Sequence, residues 1–163
     1  KLFLATLCAN LVYVTICLVI YTLIALSMID IEKPAFSGVV GSLVLFYILS
    51  ALFLLLAHGI AYAARKFSTT YAFTMIFYFF TMVSSGLMGV SKDSLPEALN
   101  TFGKYFLPLY HISEESFFNF YLGKEADMWP LIRSTIIFGA FVFLVFGGAI
   151  KFREKIGQYK KLG

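Results

Sequence analysis

Residues 2–29, LFLATLCANLVYVTICLVIYTLIALSMI, run without a single charged side chain. Wound as a helix at about 1.5 Å per residue, such a run crosses the ~30 Å hydrocarbon core of a bilayer. Helix is the form to expect, because in lipid each backbone polar group must be satisfied within its own segment. Three more runs meet the same standard, residues 38–64, 69–90 and 131–150, each longer than the ~18 residues that separate spanning helices from buried core helices. With 60% hydrophobic and 13% charged residues in 163, and a mean hydropathy of +0.86, the composition excludes an ordinary soluble domain. The fold expected is an all-α integral membrane protein: one transmembrane domain over residues 1–163 with four spanning helices.

The charges between the runs set a topology. With the basic tail, residues 151–163, placed inside, the inner set is eight basic residues against the single acid Glu154, a net +7. Lys1, Arg65, Lys66 and five tail residues make up that set. The outer set is five basic residues against eight acids, a net −3. Only this orientation obeys the positive-inside bias, so the carboxyl terminus is expected in the cytoplasm. The overall charge of +4 is then a topology signal and not a nucleic-acid footprint; the basic tail suits anionic lipid headgroups. A spanning run that begins directly after Lys1 is too long for a signal-peptide core, and the chain reads as a portion of a longer membrane protein, with an even number of spans upstream, or as a processed one.

Between the third and fourth runs, at about residues 91–128, the chain changes character. Ser94-Leu95-Pro96-Glu97 has the form of a capping box, with Ser94 as N-cap and Pro96 in the first turn. Leu95, Leu99, Phe102 and Phe106 then recur at helical spacing, with Asn100 and Lys104 facing elsewhere. Gly103 and the Leu107-Pro108 step end this short helix, since a residue before proline is pushed out of helical geometry. A second amphipathic piece is expected over residues 112–121, a loop closing at Gly123, and an interfacial start of the last span at Trp129-Pro130.

The order of these parts resembles the carboxyl-terminal portion of the permease subunit of type-2 ATP-binding-cassette transporters. It is carried by Ser84-Ser85-Gly86 at the end of a span, Leu95-Pro96-Glu97-Ala98-Leu99, Leu107-Pro108-Leu109-Tyr110, a polar amphipathic piece, a final span and a basic tail. The likeness covers residues 69–151 by motif and residues 1–68 by hydropathy alone. It implies that the four spans are helices three to six of a six-helix subunit. The pieces before the last span would form an external re-entrant hairpin, with Ser85, Gly86, Pro96, Pro108 and Tyr110 in a lid. It further implies a second permease subunit, identical or different, a separate cytoplasmic ATPase carrying ATP and magnesium, and a prokaryotic cytoplasmic membrane. The chain has no Gly-x-x-x-x-Gly-Lys-Ser/Thr phosphate loop, so it is not expected to be the enzyme or to bind a cofactor itself.

Several residues in the runs are candidates for a substrate path. Asn10, Tyr13, Thr15 and Thr22 are the polar groups of the first run; Asn10 and Tyr13, three apart, share a helical face and either line a path or bond neighbouring helices. Tyr71, Tyr78, Phe79 and Met82 form an aromatic face that is either packing or a binding wall. His58 lies seven residues, or ~10 Å, from Arg65. It is either a proton-sensitive or substrate-facing group, or a hydrogen-bonded neutral imidazole among the small residues Ala57, Gly59, Ala61 and Ala63. His111 is expected at a wet interface, and Glu114 and Glu115, about 100° apart on a helix, form a solvated rim. Cys8 and Cys17, nine residues or ~13.5 Å apart, are too distant for a disulfide and read as buried inert thiols. A non-transporting scaffold, accessory or sensor subunit is the competing reading; an intramembrane enzyme lacks a convergent His, Asp or Glu cluster.

Overall fold

The computed structural model describes residues 2–27, 32–64, 67–86 and 92–159. Its elements are α1 (Leu2–Ser27), α2 (Phe36–Ala64), α3 (Phe67–Ser84), a 3-10 turn (Lys92–Ser94), α4 (Glu97–Phe106), α5 (Pro108–Ile112), α6 (Glu115–Tyr121) and α7 (Trp129–Tyr159). Among the described residues there is no strand. Three helices are long and apolar enough to cross a membrane, over Leu4–Ile24, Phe36–Ala64 and Trp129–Phe152. α3 is shorter, at 18 residues, and Thr69, Thr70, Tyr71, Thr74 and Tyr78 dilute its apolar character. The outer end of the expected third span, residues 87–90, lies outside the described residues, as do Lys1, Arg65, Lys66 and residues 160–163.

α2 and α7 form the principal pair; α1 lies on α2, α3 on α2, α4 and α5, and α6 on α2. Close approach of α2 and α7 depends on Gly59, where an added Cβ would sit 3.4 Å from the Phe146 backbone, as expected for small residues at a helix crossing. The core centres on Phe138, fully buried, whose ring meets Phe53 of α2 at 5.0 Å, Phe106 of α4 at 5.9 Å and Phe77 of α3 at 6.2 Å. One aromatic side chain thus ties four helices together, within the 4.5–7 Å range over which ring pairs attract.

The short helices follow their punctuation. α3 ends where Gly86 turns to φ 74°, and α6 ends at Gly123, φ 75°. At the latter, Gly123 N–H donates to Phe120 O (3.0 Å) and Lys124 N–H to Asn119 O (2.9 Å), the paired bonds of a Schellman cap. The capping box does not form. Ser94 closes the 3-10 turn, and the cap of α4 is Pro96, whose carbonyl accepts from Leu99 and Asn100 while no side chain caps the helix. The break at Leu107-Pro108 is where expected, with Pro108 opening α5 as a residue that needs no N–H donor. The second amphipathic piece is interrupted at Ser113-Glu114 and divides into α5 and α6.

Candidate functional site

α4, α5 and α6 cover one end of the long helices. Leu107 and Pro108, at the α4–α5 joint, are fully buried. Beneath them lie Thr81, Ser84 and Ser85 of the α3 terminus, also buried, and Ser113 Oγ donates to the Ser85 carbonyl at 2.6 Å. Gly103 lets α4 close on this layer: a Cβ there would come 2.8 Å from Tyr110 Cδ2. Tyr110 OH in turn donates to Asn100 Oδ1 at 2.6 Å, so Asn100 faces the joint and not away from it.

A polar cluster holds the same joint. Lys92 Nζ donates to Tyr110 O at 2.6 Å, stands 3.8 Å above the Tyr110 ring and lies 3.7 Å from Glu114 Oε1. Burial holds the Lys92 ammonium below the ordinary lysine value, opposed in part by the Glu114 carboxylate beside it. His111 is buried at 3% exposure, contrary to the wet site expected of it, because α5 tucks under α4. Its Nδ1 is 2.7 Å from Glu114 Oε2 and its Nε2 2.8 Å from Lys104 O. Both ring nitrogens are thus engaged, one by a side chain and one by the backbone. Glu115 is exposed, as a rim residue should be.

Below this cover a cavity of about 620 Å³ opens between α1 and α2 with α5 and α6 as its roof. A second, of about 390 Å³, lies between α1, α2 and α3. The two share Ser50, Phe53 and Leu109 in their walls. Of the path candidates, Tyr13 lines the first cavity and Asn10 and Tyr78 the second, while His58, Tyr71 and Met82 line neither. Asn10 also bonds Ser50, Thr15 bonds Tyr47, and Thr22 meets Tyr121 OH at 3.0 Å. Asn10, Thr15 and Thr22 of α1 therefore serve as interhelical ties. His58 Nδ1 donates to the Leu54 carbonyl at 2.9 Å within its own helix.

Two expectations change at the surface of the bundle. Tyr71, Tyr78 and Phe79 are exposed, and α3 packs instead through Phe77 and Phe80, one residue round the helix, with Phe80 5.6 Å from Phe102. Cys8 and Cys17 are exposed because α1 rests chiefly on α2 and leaves a broad face uncovered. The α2 and α6 walls of the first cavity, Ser42, Phe46 and Tyr121 among them, were not singled out by sequence. Their one signal is the small-residue pair Gly38 and Ser42, four apart on α2 and both buried.

The walls of the two cavities carry hydroxyls and aromatic rings but no acid, base or cation. Among the described residues no group of three or more His, Cys, Asp or Glu is placed to hold a metal. The arrangement can enclose an apolar molecule and offer it a few neutral hydrogen bonds. Comparison with protein-family models, with curated proteins and with solved structures finds no match.

Proposed function

We propose that this chain is the membrane-spanning part of a permease subunit of an ATP-driven exporter of the type-2 ATP-binding-cassette kind. In this reading α1, α2, α3 and α7 are four spans, the third to sixth of a six-helix subunit, in a prokaryotic cytoplasmic membrane with the carboxyl terminus inside. α4 to α6 are the external re-entrant hairpin. A second permease half completes the path, and a separate ATPase binds ATP and magnesium.

The observation that carries the reading is the fully buried Leu107-Pro108 joint, seated on the Ser84-Ser85 end of α3 above two apolar cavities. Broken helices persist at membrane depth only where protein or a cavity covers their freed backbone groups. A scaffold without transport is favoured by a different observation, the run of exposed Tyr71, Phe73, Ile76, Tyr78 and Phe79 along α3. The same face is also what a second permease half would cover.

Affinity capture of the full-length protein in mild detergent, followed by an ATPase assay on what it retains, separates the two. Recovery of a nucleotide-binding subunit whose hydrolysis depends on this chain supports the permease. Capture of partners without ATPase activity, repeated in lipid nanodiscs, supports the scaffold.

A further inference from the structure

Ser42 is fully buried, and its hydroxyl has no hydrogen-bond partner among the described residues. Helical serines and threonines ordinarily turn back to a carbonyl three or four residues earlier. Buried hydroxyls elsewhere in this bundle do so: Thr81 donates to Phe77 O at 2.7 Å, Ser85 to Thr81 O at 2.6 Å and Ser134 to Leu131 O at 3.0 Å. Ser42 does not, and it stands in the wall of the larger cavity. An unmade hydrogen bond in apolar surroundings is costly unless an occupant completes it.

The cavity restricts what that occupant is. Its volume, about 620 Å³, falls in the ~300–1,000 Å³ range of small-molecule sites. A packed helix, ~10 Å across with its side chains, is too bulky an occupant for it. Its lining contains no charged residue, so a phosphate, carboxylate or ammonium would find no counter-ion there. The wall runs along α2 from Ser42 to Phe53, eleven residues or about 16 Å, which suits an extended chain. Ser42 also lies six residues, about 9 Å, from Phe36 at the start of α2. The interfacial layer of each leaflet is roughly 5–7 Å thick, so with α2 spanning, Ser42 sits just below it, at the level of glycerolipid ester groups.

We propose that this cavity holds one acyl tail of a bilayer glycerolipid, with the headgroup outside at the α6 end. Entry of the tail shifts the neighbouring wall side chains so that Ser42 Oγ, covered in this structure, turns to donate to the ester carbonyl oxygen. The site requires only that α1 and α2 span a bilayer. It does not depend on the transport reading, and failure of the ATPase assay leaves it standing.

The test reconstitutes the full chain in nanodiscs of ester-linked phosphatidylglycerol and phosphatidylethanolamine doped with an ester lipid bearing a diazirine on its tail. Cross-links are mapped by mass spectrometry and competed with ester-linked or diether lipid, which lacks the carbonyl. The expected result is labelling concentrated in residues 13–21 and 42–53, displaced roughly five-fold better by ester than by ether lipid, the worth of one hydrogen bond. Ser42→Ala should erase that preference. Cys17→Trp, filling the cavity from an exposed position on α1, should remove labelling there and spare the exposed face of α3. Labelling spread evenly over the exposed faces of α1, α3 and α7, equal competition by the two lipids, or an ester preference that survives Ser42→Ala would each overturn the proposal.

Discussion

Ser113 Oγ donates to the Ser85 carbonyl at 2.6 Å, joining the α5–α6 turn to the last turn of α3 across 28 residues. Ser85 is fully buried, so removing the donor leaves its carbonyl without this bond in a place water does not reach. Ser113→Ala is expected to lower stability by about 1 kcal/mol, the usual net worth of such a bond, and Ser113→Thr to restore most of it. Thermal unfolding in detergent reads the difference; an unchanged midpoint for the alanine variant would show that α5 and α6 are held on α3 by packing alone.

Two glycines should respond in opposite senses to alanine. At Gly38 an added Cβ would come 2.6 Å from Phe120 O and nearer still to Tyr121 O, both backbone atoms that cannot rotate aside. Gly38→Ala should therefore cost toward the upper end of the ~1–3 kcal/mol typical of overpacking and lift α6 from α2. Gly148 has nothing within 4 Å of the same position. There, alanine should be neutral or stabilise the helix by up to about 1 kcal/mol. The reverse order of thermal midpoints would contradict the α2–α6 packing described above.

Three long apolar helices and the breaks at Pro108 and Gly123 were legible because they depend on local chemistry. The Ser94 capping box, by contrast, did not form, and the piece expected over residues 112–121 is interrupted at Ser113-Glu114. What was not legible depends on which faces meet. A hydrophobic period cannot distinguish a face turned to lipid from one turned to protein when both are apolar. The aromatic stripe of α3 was accordingly placed one residue off, on Tyr78 and Phe79 in place of Phe77 and Phe80. Burial of His111 was equally hidden, since it follows from α5 folding under α4 and not from any residue near it in sequence. Ser42 left no signal beyond its spacing from Gly38, because an unmade bond cannot be read from a residue type.

Lys92 supplies a pH prediction. Burial lowers its pKa in the folded chain, so in the window just below the ordinary value of about 10.4 the unfolded chain holds more protons than the folded one. Stability should rise with pH through that window, relative to a Lys92→Met variant that cannot titrate there. Below the folded-state value both states are protonated, and the difference between the two proteins should be flat. The comparison is made by thermal unfolding at a series of alkaline pH values; a difference that falls as pH rises would reverse the assignment of burial as the dominant influence.

Gly86 tests the lid in the permease reading. At φ 74° a β-branched residue is strained, whereas asparagine tolerates the left-handed region. Gly86→Val should reduce transport coupled to the ATPase several-fold while leaving membrane insertion near normal, and Gly86→Asn should retain most of the activity. Pro108→Trp, at a fully buried position, should behave as Gly86→Val does. Parallel loss of insertion and transport in both variants would assign these residues to folding and not to gating.

The His111–Glu114 pair offers the sharpest energetic test of how α5 is fastened under α4. His111 uses both ring nitrogens, 2.7 Å from Glu114 Oε2 and 2.8 Å from Lys104 O, and is almost wholly buried. His111→Ala removes both contacts at once and is expected to cost up to about 3 kcal/mol. Glu114→Gln keeps an acceptor for the ring but loses the charge that also faces Lys92, 3.7 Å away. In a double-mutant cycle the two substitutions should couple by roughly 0.5–3 kcal/mol, as residues in one hydrogen-bonded network do. Repeating the cycle in a Lys92→Met background separates the histidine–carboxylate contact from the lysine. Coupling that persists there belongs to the pair itself. Single-variant costs that simply add would mean that α5 is held under α4 by the buried Leu107-Pro108 joint, with the polar cluster contributing nothing between its members.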